Sequence, residues 1–171
     1  VGGQTDKPFL SGGFFVSPTG IIVADSAAIL AATSTTSYQA VFIGGQTASL
    51  KRLESPPNFI FFKLADSSAG EDSKNATWSA LTFAKTPISI GQTVVALGFS
   101  NRADVNVSVG IVSSFLSTDA SSTPVIMTNA ASLENQGGPL MNIKGEVVGI
   151  SKEPGLVIPI EVIAAALAAI K

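Results

Sequence analysis

The chain has 171 residues, 46% hydrophobic and 13% charged, which is too apolar for a disordered segment and long enough to bury a sizeable core. The formal net charge of −2 comes without any basic run, so nucleic acid is not an expected partner. Cysteine and histidine are both missing; disulfides and thiolate metal sites are excluded, and a hydrolase would have to work without the commonest general base.

The first residues, VGGQTDKPF, carry neither an initiator Met nor a signal-peptide pattern. They read as the start of a piece processed from a longer precursor. From there the chain alternates short apolar runs with Gly, Pro, Ser, Asn and Asp. The expected strands, in order, are SGGFFVS, GIIVAD, QAVFIGG, SLKRLES, FIFFKLA, TVVALGF, VSVGIVSSF, PVIMTNA, PLMNIKG, EVVGISK and LVIPI. Many are rich in Val, Ile and Phe, a pattern that argues an all-β barrel or sandwich. SPTG (17–20) and NIKG (142–145) read as hairpin turns closing on glycine.

Two segments read as helix. SAAILAA (26–32) is short and has Asp25 or Ser26 as an N-cap. IEVIAAALAAIK (160–171) is alanine-rich, and Pro159 stands at its start. Between the halves, residues 65–86 are polar at first, with Asp66, Glu71 and Asp72, and then return to the core from Trp78 to Phe83. No apolar run reaches the roughly 18 to 20 residues a membrane span needs, so none is expected in this segment.

Several of these runs, in this order, resemble the protease domain of trypsin-like serine peptidases of the HtrA (DegP-like) type. SGGFFVSPTGIIVADSAAI is similar to the strand, turn and histidine-bearing segment of that family. NFIFFKL resembles its aspartate-bearing strand. ISIGQTVVALGFSNRADVNVSVGIVSSF and IMTNAASLENQGGPLMNIKGEVVGI resemble its later strands and nucleophile loop, and GLVIPIEVIAAAL its closing strand and helix. The resemblance runs from Phe9 to Leu167. It implies two six-stranded antiparallel β-barrels of the trypsin/chymotrypsin type with a C-terminal α-helix, as one domain. The first barrel is expected over about residues 9–83, the second over about 87–158 and the helix over 160–171.

In that family a serine hydroxyl attacks, a histidine takes its proton and an aspartate orients the histidine. Carried over position by position, the histidine falls on Ala27, the aspartate on Asn58 and the serine on Gln136. A methyl group accepts no proton, a neutral amide stabilises no imidazolium, and a carboxamide is no nucleophile. One of the two backbone donors that stabilise the oxyanion belongs to the residue two before the serine, glycine in the family and Glu134 here. A bulky anionic residue is poorly suited to that place. No intact catalytic residue, metal site or cofactor is expected.

The resemblance also implies a peptide groove. Trypsin-like folds bind peptides by strand addition along the cleft, and the corresponding edge lies over residues 150–156, with Ile150, Ser151 and Lys152 as its candidates. SKEPG (151–155) replaces a longer family loop, so the specificity pocket is expected to be shallow or closed by Lys152 and Glu153. The leading expectation is an inactive serine protease homologue that serves as a protein- or peptide-binding scaffold or regulatory module. It would sit outside the cytoplasm, in the periplasm, the cell envelope or secreted. Two alternatives stay open: a weak hydrolase with a relocated nucleophile, and a purely structural envelope component. A homo-oligomer is left open as well.

Overall fold

The computed structural model describes residues 11–26, 37–65, 78–99, 104–117 and 124–170. In the first half, strands β1 (Gly13–Ser17), β2 (Ile21–Asp25), β3 (Tyr38–Val41), β4 (Thr47–Arg52) and β5 (Phe59–Leu64) form an antiparallel sheet in the order β1-β2-β5-β4-β3. In the second half, β6 (Thr93–Phe99), β7 (Val105–Leu116), β8 (Val125–Thr128), β9 (Pro139–Asn142), β10 (Val147–Glu153) and β11 (Leu156–Pro159) close into an antiparallel barrel. Helix α1 (Ile160–Ala169) follows directly. The fold is therefore the expected all-β pair of sheets with a terminal helix. The second sheet is a complete six-stranded barrel. The first, among the described residues, is a five-stranded half-barrel.

The run FIFFKL shows why two sheets form. An amphipathic strand alternates apolar and polar residues, whereas Phe59, Ile60, Phe61 and Phe62 are all buried, so both faces of β5 must be covered. Phe59 and Phe61 face the second barrel and pack with Val147, Ile150 and Ile158. Ile60 and Phe62 join Ile22 and Ala24 on the opposite face. The inter-sheet layer is thus a core shared by both halves, and Ile160 and Ile163 of α1 complete it. The barrel keeps a core of its own around Val94, Val112, Ile126 and Leu140.

Local chemistry sets the turns and the helix start. Gly20 N–H donates to Ser17 at 3.2 Å with φ +84°, and Gly145 N–H donates to Asn142 at 3.0 Å with φ +77°. Both hairpins thus close on a glycine in the left-handed region, which side-chain-bearing residues avoid. Pro159 caps α1 in an extended conformation, and its ring cannot donate a backbone hydrogen bond in any case.

Trp78 stacks on Phe15 at 5.0 Å and on Phe42 at 5.9 Å. Its N–H group on the backbone donates to Pro18, so the connecting segment returns against β1. Among the described residues no helix is long and apolar enough to cross a membrane. From residue 27 on, the expected helix 26–32 lies outside the described residues, as do Asp66, Glu71 and Asp72.

Candidate functional site

Residues 129–138 join β8 to β9 and include Gln136, the residue expected at the nucleophile position. A 3-10 turn over Leu133–Asn135 leads into Gln136. Asn135, fully buried, holds this turn from inside: its Oδ1 accepts from Ser132 N–H at 3.1 Å, Ser132 Oγ at 2.7 Å and Ser108 Oγ at 2.9 Å. Ser108 Oγ lies also 2.7 Å from the Ala130 carbonyl. Asn106 donates to Glu134. Strand β7 therefore grips the loop through its inward-facing polar residues.

The strand beneath the loop leaves no slack. A Cβ at Gly98 would come within 2.6 Å of Asn135 Cα, and one at Gly12 within 2.8 Å of the Gln136 carbonyl. Gly12 N–H in turn donates to that carbonyl at 2.9 Å, which straps the entry to β1 onto the loop. Gly137 has φ +78°.

Every backbone N–H from 136 to 138 is committed. Gln136 donates to Leu133 at 3.3 Å, Gly137 to Ser151 at 2.7 Å and Gly138 to Asn135 at 2.9 Å. A donor aimed at a carbonyl inside the protein is not aimed at a developing oxyanion. The Gln136 side chain is engaged as well, its Nε2 donating to Asp25 Oδ2 at 2.6 Å. Asp25 closes β2, is buried, and pairs in register with Phe59 of β5. Its Oδ1 and the Ser151 Oγ are buried with no hydrogen-bond partner.

Asn58, one residue before Phe59, is exposed, and its Oδ1 accepts from Lys152 Nζ at 3.3 Å. Gln136 and Asn58 are thus brought to one seam between the sheets through neighbouring positions of the β2–β5 pair. Ala27 lies outside the described residues. Glu134 is exposed, and its carboxylate accepts from Asn106.

The other expected binding residues have a different setting. Ile150 pairs with Ile158 on one side and Pro139 on the other. Ser151 pairs with Val157, and its backbone exchanges hydrogen bonds with Gly137 and Gly138. Both residues are buried, so neither offers a free backbone edge; only from Lys152 on does β10 reach solvent. The hairpin beyond it turns at Pro154 and Gly155 and is stitched inward, with Gly155 N–H on Ala131 and Thr128 N–H on Gly155, each at 3.0 Å. Among the described residues, no group of three or more Asp or Glu is placed to hold a metal ion.

The residue that sequence reasoning missed is Asp25, which it read only as a helix cap. Its partner lies 111 positions away, and no local pattern announces such a contact.

The curated protein described as a probable periplasmic serine endoprotease DegP-like, from Ectopseudomonas mendocina (strain ymp), is 43% identical over 70 residues, 39% of this chain. The chain spans only 15% of that relative's length. Among solved structures, the apo MamO protease domain from Magnetospirillum magneticum superposes with a TM-score of 0.71 at 20% identity, over 95% of this chain and 90% of that one. Deg5 gives 0.73 at 20% identity, over 90% and 79%. The family model for the trypsin-like peptidase domain matches residues 11–150, and the chain belongs to that family.

Proposed function

We propose that this domain is a catalytically silent trypsin-like module that binds a protein or peptide partner, with no cofactor and no metal. The carrying observation is that Gln136, which the resemblance sets at the nucleophile position, has its N–H on Leu133 and its side chain on Asp25. Ordinary acyl transfer needs a hydroxyl, a base and an oxyanion donor at this point. A carboxamide supplies no nucleophile, a chain without histidine supplies no imidazole base, and the Gln136 N–H is engaged. The intact frame around these changes supports a retained binding role. The partner would be held at the inter-sheet seam near Asn58, Gln136 and Lys152, where β10 emerges from its paired stretch. By analogy with the periplasmic relative, the domain works outside the cytoplasm.

The test is a fluorophosphonate probe and a labelled-casein assay on the wild-type chain. The expected result is no specific labelling and no cleavage above buffer. Stoichiometric labelling of one Ser or Thr, with matching proteolysis, would overturn the reading.

A further inference from the structure

Strand β7 has an inverted pattern. Its inward positions are Asn106, Ser108 and Gly110, which engage or adjoin the loop at 129–135. Its outward positions are Val105, Val107, Val109 and Ile111. Normally the apolar row of a strand faces the core and the polar row faces water. Here the barrel interior beside β7 is occupied by the polar loop, and the branched apolar row is left outside.

The outward row is continuous with β6. Val107 faces Leu97 and Val109 faces Val95 across the ladder, and Phe99 pairs with Val105 at one end. Of the four outward pairs, only Thr93 at the far end is polar, and none carries a charge. Phe99 and the four outward residues of β7 are between 37% and 65% exposed. Together they leave on the order of 400 Å² of apolar surface in water, the scale at which a patch marks an interaction site.

We propose that this β6–β7 face is a self-association surface, and that its occupant is the same face of a second copy of this chain. Two arguments select a copy. First, the face carries no charge, so an identical face brings neither repulsion nor a charge to desolvate, whereas a charged partner would lose hydration with nothing to pair against. Second, two copies pressed together would cover about 800 Å² of apolar surface, and the polar rim of the contact would bring the total to the roughly 1,200 Å² at which stable interfaces begin. The β-branched side chains favour such a contact because they are already stiff and lose little freedom on packing. The proposal does not rest on the reading of the inter-sheet seam, since the residues that face that loop lie on the opposite side of the same strands.

Sedimentation equilibrium on the 171-residue chain tests it, alongside Val109→Lys. The expected result is a dimer at micromolar concentration, with its dissociation constant raised about tenfold or more by the substitution, and an unchanged circular-dichroism melt. Cross-linking gives a second readout, because the chain has no cysteine of its own. Val109→Cys should form an intermolecular disulfide under mild oxidation, while Lys144→Cys, exposed on the β9–β10 hairpin, should not. A wild-type chain that stays monomeric to about 100 μM, a concentration at which even weak specific contacts are populated, would overturn the proposal. So would a dimer indifferent to Val109→Lys, or equal cross-linking at both positions.

Discussion

Gln136 Nε2 donates to Asp25 Oδ2 at 2.6 Å across the junction of the two sheets. Gln136, which the resemblance to trypsin-like peptidases sets at the nucleophile position, is thus one half of a structural tie. Asp25 is buried, so removing the donor leaves its carboxyl with neither oxygen paired. Gln136→Ala should cost about 1.5–3 kcal/mol of unfolding free energy, the range for a hydrogen bond to a charged group. Urea denaturation measures it. In a double-mutant cycle with Asp25→Ala, which removes the acceptor, a non-zero coupling is expected, because the two residues touch. Independent, additive losses would show that the contact contributes nothing.

Gln136→Ser asks a different question. It puts a hydroxyl at 136, yet the N–H at 136 still points at Leu133 and the chain still has no histidine. The variant should therefore show no casein cleavage, while losing stability as the alanine variant does. Both are read on one preparation, by fluorescence release and by urea melt.

The contrast between Gln136 and its neighbours shows what the sequence could and could not reveal. FIFFKL announced a strand, because it is a short run of Phe and Ile bounded by turn residues. SPTG and NIKG announced hairpins, because each ends on a glycine able to take positive φ. Pro159 announced the start of α1. All of these depend on neighbours in the chain. The Gln136–Asp25 tie depends on residues brought together only by the packing of two sheets, and nothing in either local segment encodes it. The edge expected at Ile150 and Ser151 came from the way the resembled family binds peptides, not from a local pattern. The closed barrel order, β9 beside β10 beside β11, already uses both sides of those residues.

Asn135 is the anchor of the loop. Three donors converge on its Oδ1, from Ser108 and from the backbone and side chain of Ser132. Asn135→Ala should destabilise the chain by about 1–3 kcal/mol, since three partly buried donors then lose their acceptor. Ser108→Ala should cost less, as it removes one donor and leaves the two from Ser132 in place. The order of the two effects in thermal melts is the check; equal losses would mean that Ser108 carries the loop.

One chemical change at two glycines should fail for two different reasons. A methyl at Gly98 would press on the backbone of Glu134 and Asn135, whereas one at Gly145 meets nothing within 4 Å and suffers only from φ +77°. Gly145→Ala should cost about 1–2 kcal/mol from the left-handed backbone alone. Gly98→Ala should cost about 1–3 kcal/mol or more, because packed backbone has to move. Backbone amide shifts in NMR spectra separate the causes: changes should spread through residues 129–138 for Gly98→Ala and stay within the hairpin for Gly145→Ala.

Phe61 and Phe62 are adjacent on β5 and bury against different partners. Phe61 joins the layer shared with Val147, Ile150 and α1, while Phe62 packs with Ile22 and meets Tyr38 at a ring distance of 5.0 Å. Truncating either to alanine should cost about 3–5 kcal/mol, so the total loss does not distinguish them. Its distribution should. Local opening follows cooperative units of packing, and Phe61 belongs to a unit that spans both sheets. Phe61→Ala should therefore speed amide hydrogen exchange in β10 and β11 as well as in β2 and β5. Phe62→Ala should confine the faster exchange to the first sheet. If both variants gave the same exchange map, the inter-sheet layer would not be the cooperative link between the halves, and the Gln136–Asp25 tie would have to carry that role.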